Sequence, residues 1–139
     1  MAVSRASPFA TGARELSVST RLLATGDNVF HRLARYLRDG TPPPPGYDLT
    51  WHVSTVYFRV AQAGIIVNTA AYQRIRQLPS CRALQVRVAD GDPVEATSHL
   101  LSTLALGWVV LAHRDPDQVE RDRAAVREIE QAVRVVPGP

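Results

Sequence analysis

The chain has 139 residues, 45% of them hydrophobic, and a formal net charge of +3, values that set it among globular domains and exclude fibrous and disordered classes. A single cysteine, Cys81, leaves no internal disulfide to form, and the most apolar run, Leu100 to Ala112, is too short to cross a bilayer. The protein is therefore expected in the cytoplasm, without a membrane partner.

All sixteen basic residues are arginine, which keeps its charge in any surroundings and offers a planar fork to carboxylates and phosphates. Eleven of them stand against four acids in residues 1–89, and five against nine in residues 90–139. That asymmetry suits an anionic partner, or neutralisation of one half by the other within a chain or across a dimer.

Residues 1–12, acid-free and interrupted by Pro8, read as a flexible N-terminal tail, and residues 13–136 as one domain. Its first stretch, "ARELSVSTRLLATG", is a weak helix. The next, "DNVFHRLARYLRDG", is a clear one: Asp27 stands at the cap, Val29, Phe30, Leu33, Ala34 and Leu37 share a face, and Gly40 suits the left-handed terminal position. A Pro-rich connector, residues 41–46, follows. Pro42 and Pro45 match the minimal pattern for grooves that bind a polyproline helix, but neither position that sets orientation is basic, so a stiff spacer is the expected role.

Asp48 is placed to cap a long central helix over residues 49–78, stopped by Pro79. Leu49, Val53, Val56, Val60, Ala63, Val67, Ala71, Ile75 and Leu78 recur at steps of three and four, which outweighs the β-branched content. Ala63, Gly64, Ala70 and Ala71 let a neighbouring helix approach. In "SCRALQVRVADG", Leu84, Val86 and Val88 alternate like a strand, yet Ser80 as cap and Gly91 as terminator favour a short helix. Asp92-Pro93 and Asp115-Pro116 open two further helices, "DPVEATSHLLSTLALGWVVLAHRD" and "DPDQVERDRAAVREIEQAVRVV", made antiparallel by their short link. The predicted class is all-α: a single-domain helical bundle with about four main helices and one or two short ones.

No convergent set of polar groups marks a catalytic centre, and no spacing marks a metal or cofactor site. His99 and His113 fall about four turns apart on one predicted helix, too far to share a metal. His31 and His52 read as solvent-facing or satisfied structural histidines. Cys81, at a predicted first helical turn beside Arg82, is either a thiol of lowered pKa or an inert half-buried one.

Two sets of residues are candidates for contact. Arg59, Arg74, Arg76, Arg82 and Arg87 lie in the acid-free segment after Asp48 and suit a protein partner or phosphates. Val119, Val126 and Val133, with Ile129 and Val136, follow a heptad that suits self-association, although Asp122 spoils its first d position. The expected function is a non-enzymatic helical interaction protein, a regulator, adaptor or assembly subunit, with a protein partner or a homo-oligomer. The alternative is an arginine-rich nucleic-acid-binding regulator, and the third reading a small helical enzyme or an enzyme-accessory subunit.

Overall fold

The apolar run that opens at Gly107 forms a strand, and the helical bundle gives way to a mixed α/β architecture. The computed structural model describes residues 20, 23–27 and 29–138; the expected tail, residues 1–12, lies outside them. By its contacts the chain divides into two units, Met1–Trp51 and His52–Pro139.

In the first unit the expected helix forms as α1, Val29–Asp39. Gly40 adopts φ +68° and its N–H closes the last turn on the Tyr36 carbonyl. Asp27 accepts from Arg32 and Arg35. Arg32 also donates to the carbonyls of Pro44 and Gly46 and stacks its guanidinium 3.5 Å from the centre of the Tyr47 ring. The proline segment is exposed and belongs to no helix or strand, and this one arginine takes the carbonyls at its far end. Ala24 then accepts from the N–H groups of Thr50 and Trp51.

The second unit opens with β1, His52–Tyr57, and β2, Gly64–Val67. A 3-10 helix, η1, spans Thr69–Gln77, and β3, Cys81–Val86, and β4, Pro93–Val94, follow. Helix α2, Leu100–Leu106, runs directly into β5, Gly107–His113. Helix α3, Pro116–Glu130, and β6, Arg134–Val136, end the chain. The strands make two antiparallel sheets, ordered β1-β5-β3 and β4-β2-β6.

Each correction to the predicted helices has a local cause. Over 49–78, the steps of three and four come from three different elements, β1, β2 and η1, and the turns between them. In β1, both faces are at least half-buried, so no polar alternation announces a strand. In η1 the period is three, and Tyr72 and Ile75 turn inward together with Leu78. Asn68, in the left-handed conformation at φ 65°, turns the chain between β2 and η1 and donates its Nδ2 to the Ala132 carbonyl. The close approach anticipated at Gly64 is real but comes from a strand: a Cβ there would lie 2.2 Å from the Val136 carbonyl oxygen.

The segment expected as a short helix is β3, so its alternation carries the correct signal. A bulge at Arg82 shifts its register, with Cys81 opposite Leu111 and Ala83 opposite Val110. The predicted helix from Asp92 breaks up into β4, a loop, α2 and β5. Asp92 caps no helix; its carboxylate accepts from the Ala89 N–H in a turn. His99 caps α2 instead, its Nδ1 accepting from the Ser102 N–H at 3.3 Å. Gly107, at φ +123°, changes helix into strand, and a Cβ there would lie 2.1 Å from the Gln85 carbonyl oxygen. The helix expected from Asp115 does form, with Asp115 capping and Pro116 at its first turn, but it ends at Glu130 and Val136 lies in β6. No antiparallel helix pair results.

The core lies between the β1-β5-β3 sheet and α3, with η1 beside them. Val56, Val109 and Leu111 face Val119, Val126 and Ile129, and Phe58 stacks on Tyr72 with ring centres 4.2 Å apart. One charged side chain is buried here. Asp122, 4% exposed, accepts from the Ser80 N–H at 2.8 Å, the Ser80 hydroxyl at 2.6 Å and Gln118 Nε2 at 2.8 Å. The residue that interrupts the heptad is therefore the acceptor that ties the start of β3 to α3.

Replacing Asp122 with Ala strands two buried donors of Ser80 and is expected to cost about 2–3 kcal/mol. Asp122→Asn, which keeps an acceptor, is expected to cost less. Urea unfolding of both variants checks this, and an alanine cost below about 1 kcal/mol rejects the role assigned to the carboxylate.

Candidate functional site

Within the second unit, the chain leaving β1 is held by three successive amides. Phe58 donates to the Gly107 carbonyl at 3.0 Å, Arg59 to Glu130 Oε1 at 3.0 Å, and Val60 to Thr97 Oγ1 at 3.0 Å. Thr97 returns its own N–H to the Val60 carbonyl at 2.9 Å. Glu130, only 9% exposed, gives its second oxygen to Arg127 Nη1, which also donates to the Tyr57 carbonyl at 3.1 Å. These fixed pieces wall a cleft of about 760 Å³ that Arg59, Thr97, Ser98, His99 and Gln131 line.

The other candidate arginines go to different places. Arg74 and Arg76 are exposed on η1, where Arg76 donates to Gln73 Oε1. Arg82 is exposed at the bulge of β3. Arg87 lies over the Trp108 ring, 4.6 Å from its centre. Arg59 alone of the five lines the cleft. The self-association residues are used within the chain: Val119, Val126 and Ile129 are buried in the core, and Val133 packs partly buried against it. Their packing is accounted for within the chain, with Val133 keeping part of its surface.

Cys81 sits half-buried on β3 rather than at a helix start. Burial pushes its thiol up, Arg76 and Arg82 pull it partly back, and Asp122 pushes it up again. His113 ends β5 opposite His52 on β1 and accepts the Asp115 N–H at Nδ1. Among the described residues, no group of three His, Cys, Asp or Glu is placed to hold a metal, and no helix is long and apolar enough to cross a membrane.

The first unit presents a different surface. On α1 the apolar residues Val29, Phe30, Leu33 and Leu37 stay 51–73% exposed, and none of the helix is buried. Arg32, Arg35 and Arg38 occupy the opposite side. Sequence reading found this stripe as one face of a helix in the expected bundle. It missed Thr97, Ser98 and His99, whose only signal was a polar stretch inside a presumed helix.

By sequence, no family model and no curated protein matches the chain. By structure, it resembles the crystal structure of an L-amino acid ligase from Bacillus licheniformis, with a TM-score of 0.59 and 13% identity over 91% of this chain. The chain spans 30% of that ligase's own length. At this identity the likeness shows the fold alone.

Because the Cys81 thiol is raised, its alkylation is expected to titrate above the ordinary thiol value of about 8.5. Arg76→Gln with Arg82→Gln should move the midpoint higher still. A midpoint below the ordinary value contradicts the assignment of burial as the dominant cause.

Proposed function

We propose that the protein is an assembly or accessory subunit that docks onto a larger protein through the apolar face of α1. One observation carries this reading: Val29, Phe30, Leu33 and Leu37 line one side of a helix whose charges are all on the other, yet they stand open to solvent. A contiguous apolar helix face of this kind is the signature of helix-in-groove recognition. Asp27 and Arg32 brace the helix from behind, Arg32 tying it to the carbonyls of Pro44 and Gly46 at the end of the proline segment.

The fold likeness supports an enzyme-associated role, because that ligase carries a similar fold as 30% of a longer chain. An enzyme that joins L-amino acids is accordingly the first partner to test. The assembly is cytoplasmic in this reading and involves no membrane.

Proximity labelling from the full chain in its own cells is expected to mark one protein reproducibly. Leu33→Asp with Leu37→Asp changes only exposed positions and should leave the melting temperature unchanged while abolishing that labelling. Labelling unaltered by the double variant refutes docking through α1.

A further inference from the structure

We infer that the cleft at Arg59 binds an oxyanion, the carboxylate or phosphate group of a small molecule. The inference is independent of docking through α1. Its starting point is where the cleft's charges are spent. Glu130, the carboxylate in the wall, gives one oxygen to the Arg59 N–H and the other to Arg127. Both of its oxygens are engaged and the Arg127 guanidinium is paired with its charge, so it is a poor anchor for a cationic ligand. The Arg59 side chain is exposed and has no hydrogen-bond or ion-pair partner among the described residues, so its planar fork is available for two parallel bonds to one anionic group.

The neutral groups beside it are donors as well. His99 uses Nδ1 to accept from the Ser102 N–H, which leaves Nε2 as the N–H of the neutral ring. Thr97 Oγ1 already accepts from the Val60 N–H, so its hydroxyl proton is the part that remains to be shared. Ser98 adds an exposed hydroxyl on the same wall. Of the two arginines in the cleft, Arg127 is bonded to Glu130 and the Tyr57 carbonyl, so one unpaired cation and several neutral donors meet around a backbone that the hydrogen bonds of three consecutive amides hold in place. The fixed backbone confines the ordering cost of binding to the side chains.

The cleft's size and charge narrow the ligand class. A volume of about 760 Å³ exceeds a bare anion and suits a small molecule carrying the group. Nucleic acid is disfavoured, because a phosphate backbone is met by a track of cations rather than by one unpaired arginine beside an Arg127–Glu130 pair and neutral donors.

The test is a titration of isotope-labelled full-length protein with inorganic phosphate, and separately with acetate, against sodium chloride at matched ionic strength. Saturable shifts are expected in the amides of Arg59, Val60, Thr97 and Ser98 and in the His99 ring. Stronger binding of phosphate identifies a phosphorylated ligand, and stronger binding of acetate a carboxylate one. Arg59→Gln is expected to weaken binding at least about tenfold, with Arg59→Lys recovering part of it and Arg74→Gln changing nothing. Shifts that chloride reproduces, that Arg59→Gln leaves intact, or that fail to appear with either anion overturn the inference.

Discussion

A strand buried on both faces must find hydrogen-bond partners on both edges, and β5 imposes that requirement on the second unit. Six of its seven residues are buried, so every N–H and C=O along it that lacked a partner would cost as much as a lost hydrogen bond. The requirement is met by β1 on one side and β3 on the other, both antiparallel. Gly107 makes the arrangement possible, since any side chain at that point would collide with the β3 backbone at Gln85.

Helix α3 closes the structure over this sheet with two inward carboxylates about two turns apart. Asp122 takes the Ser80 N–H just before β3 begins, and Glu130 takes the Arg59 N–H just after β1 ends. One helix thus fastens both edge strands. Other acids of the second half are spent in the same way: Asp90 accepts from the Thr69 N–H and hydroxyl, Asp92 from Ala89 and Asp115 from Asp117. The Thr69 bonds hold the Asp90 carboxyl below the usual range. The acidic half that composition exposes is in good part a set of backbone caps. The same fastening of Arg59 through Glu130 frames the cleft, so the site inherits its rigidity from the element that closes the core.

The sequence revealed local signals well and tertiary ones poorly. Asp115-Pro116 and the α1 pattern with Gly40 are short-range chemistry, and both helices appear where that chemistry puts them. The strands were hidden because β5 is buried on both faces and β1 nearly so. A strand of that kind loses its alternation and leaves only an apolar run, which length alone cannot assign. The period of three in η1 then joined with β1 and β2 into a false helical stripe. Arg59 was visible as a candidate through the acid-free segment around it. Its companions Thr97, Ser98 and His99 were not, because only the fold brings residues 59 and 97–99 together. The apolar stripe of α1 was legible in full, but not its exposure.

The central claim is that β5 is the inner strand on which the second unit is built. Native-state hydrogen exchange tests it most directly, because amides protected by the whole fold exchange only through global unfolding. The amides of Val109, Val110, Leu111 and Ala112 should be the slowest in the chain, with a clear break in protection from α2 at Gly107. Residues 100–113 exchanging together as one unit, with protection no greater than that of α3, would contradict it.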